Sequence, residues 1–320
     1  MDLETAFMAS RLIIAAERLQ VFRELHGIKL SAPEIEKRLK IHPRYLTFFL
    51  DALVSMSLLR KKAGLYWNSA LADKYFIRER PLYWTRQFSA ECVDVFEAFT
   101  VLEKILKSGK NPWTIRRKKK QSYIESMKKH PEEARDFTQM LFYYHKTDAE
   151  ALAKFLDLHN FRSLLDVGGG SGVMSIAIAK KNQNLRACIL DIEPVCAIAR
   201  ENVRKEGLSN RVEAVAGDFR KELPRGYNVI LCSDIGVVPK ALLRKAYRSL
   251  SPEGMIALVD RFLSEDRTEP LDKLLYHLVG SEFGMETKQE IAAALKSCDF
   301  RKIKIHNLHR DLWVITALKS

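Results

Sequence analysis

Three acids and a run of glycines are the groups in this 320-residue chain whose spacing suggests chemistry. Asp166 sits in an apolar stretch, Leu164–Leu165–Asp166–Val167, and Gly168, Gly169, Gly170 and Gly172 follow at once. Successive glycines let a backbone turn sharply and approach a ligand with no Cβ in the way. Asp191 ends the next apolar run, ACILD, 23 residues beyond Gly168. A carboxylate there can accept hydrogen bonds from both hydroxyls of a ribose. Asp218 ends a third run, in Ala216–Gly217–Asp218–Phe219. Its side chain could accept a bond from an adenine amino group while Phe219 stacks on the ring. Each acid alone reads as a turn or cap residue. Three at successive strand ends, with one glycine loop at the first, describe a nucleoside site.

A glycine-rich turn also serves dinucleotides and nucleotide phosphates, so the turn alone is a weak signal. Here an acid precedes the loop, where it would oppose a pyrophosphate but could hold a cationic group. No Gly-Lys-Ser/Thr follows, as a phosphate loop would need.

The elements that must position these residues follow from periodicity. From Phe161 onward, short apolar runs such as SLLDV, ACILD, VEAVA, YNVILCS and MIALVD alternate with helical stretches. Two further runs, KIKIHNL and LWVITAL, close the chain as a hairpin or adjacent strands. That beat belongs to a parallel sheet with helices on both faces. The expected fold is α/β: a Rossmann-like C-terminal domain behind a mainly helical, winged-helix-like N-terminal domain. The boundaries read as 1–95, a helical linker and pocket region at 96–160, and 161–320.

In the N-terminal part, Leu12, Ile13, Ala16, Leu19 and Phe22 have helical spacing. Ser31 with Glu34 three residues on forms a capping box for a helix from Ala32 to Leu39. A third helix follows His42–Pro43, and Gly64 marks the turn of a short hairpin. The third helix carries Tyr45, Phe48 and Phe49 rather than a basic face, which argues against DNA binding. Asn111–Pro112 is expected to open a loop. It leads into the densest charge run, Arg116-Arg117-Lys118-Lys119-Lys120, read first as a solvated loop and second as a lip for an anionic substrate or nucleic acid.

The formal charge of +13 fits an anionic substrate, a nucleic acid or simply a basic surface. Five scattered cysteines without a CxxC pair suit a reduced, cytoplasmic protein without structural zinc. The N-terminus lacks the pattern of a signal peptide, and no stretch reaches 18 apolar residues, so no transmembrane helix is expected.

LLDVGGGSG, LDIEPV, AGDF and PEGMIALVD, in this order, resemble the motifs of class I S-adenosylmethionine-dependent methyltransferases. The DVGGGSG form behind a winged-helix-like domain resembles the small-molecule O-methyltransferase family, with some similarity to a bacteriochlorophyll-ring C-methyltransferase. The resemblance implies S-adenosyl-L-methionine as cofactor and no metal. It implies transfer to a small aromatic or conjugated acceptor, which the basic charge would suit to carboxylates or phosphates, with oxygen as the first choice of nucleophile. C-methylation of a tetrapyrrole or related ring, RNA methylation and a non-catalytic protein retaining the fold are the alternatives. Ser233–Asp234–Ile235–Gly236 lacks the Asn-Pro-Pro-aromatic signature of amino methylation, which weighs against nucleic acid.

Carried over by residue, the resemblance puts Asp166, Gly168 and Gly170 at the methionine part of the cofactor. It puts Asp191 and Ile192 at the ribose, Asp218 and Phe219 at the adenine, and Cys232 and Ser233 near the sulfur. It implies a homodimer through the N-terminal helices, in which Ile13 and Leu19 serve an interface or an internal core. Plant members place a catalytic histidine after the fourth strand, where this chain has Ser233, a poor general base. Asp234 is an alternative acid or base and a substrate contact. His277 and its neighbour Tyr276 are the leading catalytic candidates. The stretch Met140 to His145 is where the family makes cofactor and acceptor contacts. Tyr143 and Tyr144 are thus substrate candidates, although adjacent helical residues point about 100° apart and cannot share one face.

Overall fold

The computed structural model describes residues 3–77, 94–116, 123–280 and 284–320. The chain divides into two compact units, 1–96 and 97–320. Cys92 and Arg117 to Lys120 lie outside the described residues, so the bulk of the basic run does too.

The first unit opens with the helix Leu3–Arg18, a turn of helix at Val21–Glu24, and the helices Ala32–Leu39 and Pro43–Ser55. Glu34 accepts from both the backbone N–H and the hydroxyl of Ser31, which fixes the start of the second long helix. Strands β2 (Leu59–Lys62) and β3 (Leu65–Asn68) form the hairpin, with Gly64 at φ +75° in the turn. A two-residue strand β1 (Leu30–Ser31) adds to β3, giving the order β1-β3-β2. Two residues are too short to show periodicity, so the sequence suggested only a two-stranded ribbon. The hairpin is tied to the third helix at Asp51, which accepts from Tyr66 Oη at 2.8 Å and Lys61 Nζ at 2.7 Å. Ala16, Phe22, Ile35, Leu46, Leu50 and Leu53 fill the core beneath. Burying each large apolar side chain contributes about 1.5–3 kcal/mol. Tyr45 and Phe48 remain exposed on the outer face of the third helix.

The second unit is a seven-stranded sheet. Its strands are β4 (Ser163–Val167), β5 (Arg186–Asp191), β6 (Val212–Ala216), β7 (Tyr227–Ser233), β8 (Leu250–Asp260), β9 (Phe300–His309) and β10 (Leu312–Lys319). The order is β6-β5-β4-β7-β8-β10-β9. Strands β4 to β8 run parallel, and β10 pairs antiparallel with both β8 and β9. Alternate residues feed two apolar layers, because successive strand side chains point to opposite faces. Leu164, Val229 and Leu231 pack with the helices Lys146–Phe155, Val173–Lys181 and Glu193–Lys205. Leu165, Ile230 and Cys232 pack with Lys240–Ser249 and Lys288–Lys296.

A second element departs from the sequence reading. Asn111–Pro112 opens a short helix, Pro112–Ile115, rather than a loop, because Asn111 Oδ1 accepts from Trp113 N at 2.9 Å as an N-cap. Arg116, the first residue of the basic run, is paired with Glu97 and lies over the Trp113 ring; its side chain is 8% exposed. Among the described residues, no helix is long and apolar enough to cross a membrane.

Candidate active site

Strand order reverses on the two sides of β4: β5 lies on one side and β7 on the other. Ligands of open parallel sheets bind outside the strand ends at such a point. The loop Gly168–Gly172 occupies it, between β4 and the helix Val173–Lys181.

Three of its glycines are required by what surrounds them: Gly172, at φ +80° with Ile189 Cδ1 2.7 Å from where a Cβ would stand, and two that face the site. Gly168 has φ +66°, and a Cβ there would meet Ile235 Cγ2 at 2.9 Å and the Phe219 ring at 3.4 Å. Phe219 and Ile235 are half-buried against the same apolar layer, so they wall the loop on that side. A Cβ on Gly169 would strike the Asp166 carboxyl, with Cγ at 2.6 Å. The loop therefore lies directly on the Asp166 side chain.

Asp166 is 1% exposed, and Ser175 Oγ donates to its Oδ2 at 2.7 Å. Its Oδ1 is buried without a hydrogen-bond partner. Burial, joined by the charge of Asp191, raises its pKa to about 7 against the lowering bond from Ser175. Asp166 thus supports the loop from beneath.

Asp191 ends β5 and is bonded to the loop. The Gly170 N–H donates to its Oδ2 at 2.9 Å and the Ile192 N–H to its Oδ1 at 2.7 Å. Burial raises its carboxyl above the usual range, opposed by these two bonds. A carboxylate has about four acceptor positions, so the two N–H groups leave capacity for ligand hydroxyls. Asp218 faces the same edge from the end of β6 but is forked by Arg220, with Nε and Nη2 each at 2.8 Å. That bond holds its pKa down at about 2.

The Cys232 side chain points into the apolar layer and is 2% exposed, so it presents only backbone to the strand ends. Ser233 is half-buried at the end of β7. Asp234 follows in the left-handed region at φ +51°, and its N–H donates to the Val259 carbonyl at 3.0 Å. Crowding by protein, with the charge of Asp260, raises its carboxyl; His145, Lys273 and Arg261 oppose this.

The helix Leu271–Leu278 is anchored at this edge by Lys273, which is 4% exposed and donates to Asp260 Oδ1 at 3.0 Å, at the end of β8. Tyr276 on that helix is half-buried and His277 is exposed. The two tyrosines separate as the helical angle demands. Tyr143 packs against the core beside Phe142, whereas Tyr144 is 71% exposed and meets the His145 ring edge-on at 4.9 Å.

One cluster escaped the sequence reading. His145 Nδ1 lies 2.9 Å from Asp148 Oδ2, and His145 Nε2 lies 3.9 Å from Asp234 Oδ2. His309 Nε2, from β9, lies 2.9 Å from the other oxygen of Asp148. The spacing of His145 and Asp148 on one helix face was readable as a pair. Their meeting with Asp234 and His309 was not, because it depends on the packing of distant strands.

Comparison with known proteins identifies the family. Residues 99–301 match the O-methyltransferase domain and residues 1–78 the O-methyltransferase dimerisation domain. The tetracenomycin polyketide synthesis 8-O-methyl transferase TcmO of Streptomyces glaucescens is 28% identical over 315 residues, 95% of this chain and 91% of that protein. The 3-hydroxy-5-methyl-1-naphthoate 3-O-methyltransferase of Streptomyces sahachiroi is 25% identical over 280 residues, 86% and 80% of the two chains. The solved structure of PigF with SAH shares the fold, with a TM-score of 0.87 at 22% identity over 99% and 97% of the two chains. The domain match spans more than half of the sequence: the chain belongs to the O-methyltransferase family and is an S-adenosyl-L-methionine-dependent methyltransferase.

Proposed function

We propose that the acceptor is a small hydroxylated aromatic carrying an anionic group, methylated on oxygen, and that the strand-end loop is the cofactor cradle. The observation that carries this reading is the bond from the Gly170 N–H to Asp191, beside a Gly168 walled by Phe219 and Ile235. This arrangement fits a nucleoside with a sulfonium side chain. A Cβ on Gly170 would meet nothing nearer than the Gly168 carbonyl at 4.0 Å, so the backbone there is open to a ligand. Asp191 and Ile192 would hold the ribose, and Phe219 would lie against the adenine. Asp218 reaches the adenine only if Arg220 shares it. Gly168, Gly170 and Ser233 would line the methionine part, with Asp166 beneath the loop.

When bound, S-adenosyl-L-methionine supplies an electrophilic methyl group on a positively charged sulfur. The chain's task is to align the acceptor, exclude water and take a proton. Tyr144, Asp234, Tyr276 and His277 are the side chains we assign to the acceptor side. Two relatives are named for aromatic O-methylation, one on a polyketide and one on a hydroxynaphthoate. The net charge of +13 suits an acceptor with a carboxylate. The described cysteines, Cys188, Cys196, Cys232 and Cys298, are unpaired and buried, which suits a cytoplasmic enzyme. The winged-helix unit supplies the homodimer contact of the family.

The test is calorimetry with S-adenosylhomocysteine, then methyl transfer to 3-hydroxy-2-naphthoate followed by mass spectrometry. We expect binding that Asp191→Ala weakens about 10- to 100-fold, the worth of about 1.5–3 kcal/mol for bonds to a charged group. The methyl group should appear on the naphthoate oxygen. A product methylated on a ring carbon would replace O-methylation with C-methylation. Absence of cofactor binding would overturn the cradle.

A further inference from the structure

His145 stands where two helices meet: it ends Pro131–Tyr144 and begins Lys146–Phe155. At this joint its ring leaves the helical stack and turns toward the carboxyl edge of the sheet. Asp234 marks that direction: its Oδ2 lies 3.9 Å from His145 Nε2, beyond hydrogen-bond range. Asp234 immediately precedes Ile235, the residue that walls Gly168. The imidazole is therefore at the edge that carries the glycine loop, with 21% of its side chain exposed.

Its ring is held in one orientation. Burial works against ionisation of Asp148, but the bond from His145 and the two neighbouring imidazoles hold its carboxyl below the usual carboxylate range. An ionised carboxylate only accepts, so the Nδ1 of His145 carries a proton and donates to Asp148 Oδ2 at 2.9 Å. In the neutral ring this leaves the lone pair on Nε2, the nitrogen turned toward the site. His309 Nε2 lies 2.9 Å from the second oxygen without a well-aligned hydrogen bond, so it acts on Asp148 through charge when protonated. A histidine base oriented by an acid on its Nδ1 side recurs in catalytic triads.

Resting on the function proposed above, we propose that His145 is the proton acceptor of this methyltransferase, with Asp148 and His309 as its positioning residues. It serves from the helical segment in front of the sheet the role that Ser233 cannot serve from β7. The acceptor O–H bond breaks and its proton passes to His145 Nε2. The oxygen pair forms the bond to the methyl carbon, and the carbon–sulfur pair stays on sulfur, which becomes a neutral thioether. The resulting imidazolium is stabilised by Asp148 on one side and Asp234 on the other. The charges facing it are Asp148 on its own helix, His309 on β9 and Asp234 after β7. Asp260, Lys273 and Arg261 lie behind Asp234.

The test pairs His145→Gln and Asp148→Asn, each checked for a native melting curve, with wild type. Nitrogen-15 spectra of labelled histidine should show an Nδ1-protonated His145 in wild type and a mixed tautomer in Asp148→Asn. Calorimetry should give S-adenosylhomocysteine affinities within about threefold of wild type for both variants. With 3-hydroxy-2-naphthoate, kcat of His145→Gln should fall about 100-fold or more, the scale of general-base catalysis, with KM little changed. Asp148→Asn should shift the acid limb of the pH profile. An unchanged tautomer in Asp148→Asn, or an undiminished kcat in His145→Gln, would overturn the proposal. So would a tenfold loss of cofactor affinity in His145→Gln, which would make the ring a holder of the cofactor's carboxylate. If wild type binds S-adenosylhomocysteine but methylates no hydroxy-aromatic, the assigned acceptor class fails, and the tautomer spectra still decide the orientation of His145.

Discussion

At the scale of single residues, the site depends on backbone that a side chain would block and on acids held away from water. Gly168→Ala places a left-handed backbone under strain of about 1–2 kcal/mol and drives a methyl group into Ile235. We expect S-adenosylhomocysteine affinity, read by calorimetry, to fall about 5- to 30-fold by that energy. Adding Ile235→Ala should recover part of the loss, since it removes the collision but not the strain. Recovery to the wild-type value would show that φ contributes nothing. Asp166 makes the opposite kind of claim, about pH. Its folded pKa of about 7 is raised from 3.8 by burial first and Asp191 second. The unfolded chain gives up this proton at lower pH than the folded one. Stability from the group is therefore full below 3.8 and is lost as pH rises through about 7. Asp166→Asn cannot ionise, so thermal unfolding from pH 5 to 8 should show the variant gaining on wild type as pH rises. A gap that does not change with pH would remove the raised carboxyl from the account.

At the scale of elements, the helices that frame the sheet are set by local chemistry that can be cut singly. Thr287 begins the helix Lys288–Lys296: its Oγ1 accepts from the Glu290 N–H at 3.2 Å, and its own N–H donates to Glu290 Oε2 at 2.9 Å. Thr287→Ala deletes the first of these bonds and should lower unfolding stability by about 1 kcal/mol. Urea titration measures it, and a loss under a few tenths would mean that water replaces the hydroxyl. The related pair at Ser31 and Glu34, where N–H and hydroxyl both donate to the carboxylate, was legible in the sequence, because a capping box is a local pattern three residues long. Strand β1 was not legible, since its two residues become a strand only by pairing with β3.

At the scale of the molecule, the first helix exposes Phe7 and Met8, at 53% and 55%, and Leu19 beyond its end at 42%. Ile13, by contrast, packs on the unit's own core. With residues 1–78 matching the O-methyltransferase dimerisation domain, these exposed side chains are the surface to cut. Wild type should sediment as a dimer, and Phe7→Asp combined with Met8→Asp should shift it toward monomer at micromolar concentration. Sedimentation identical to wild type would move the interface elsewhere.

What the sequence determined by itself was the order of elements, the glycine loop and the acids at the strand ends. Each is written in contiguous residues: period-two and helical patterns, turn glycines, and an acid closing each apolar run. The tertiary structure decided which groups meet. Packing placed Ile235 over Gly168 and Asp166 under Gly169. It turned Cys232 into an apolar layer. It left His277 exposed and joined His145 and Asp148 to Asp234 and His309, contacts between residues far apart in the chain. Local patterns specify backbone conformation, whereas side-chain encounters depend on how sheet and helices stack. The loop and the strand-end acids proposed to hold the cofactor could therefore be read from the sequence, and the residue proposed to take the proton could not.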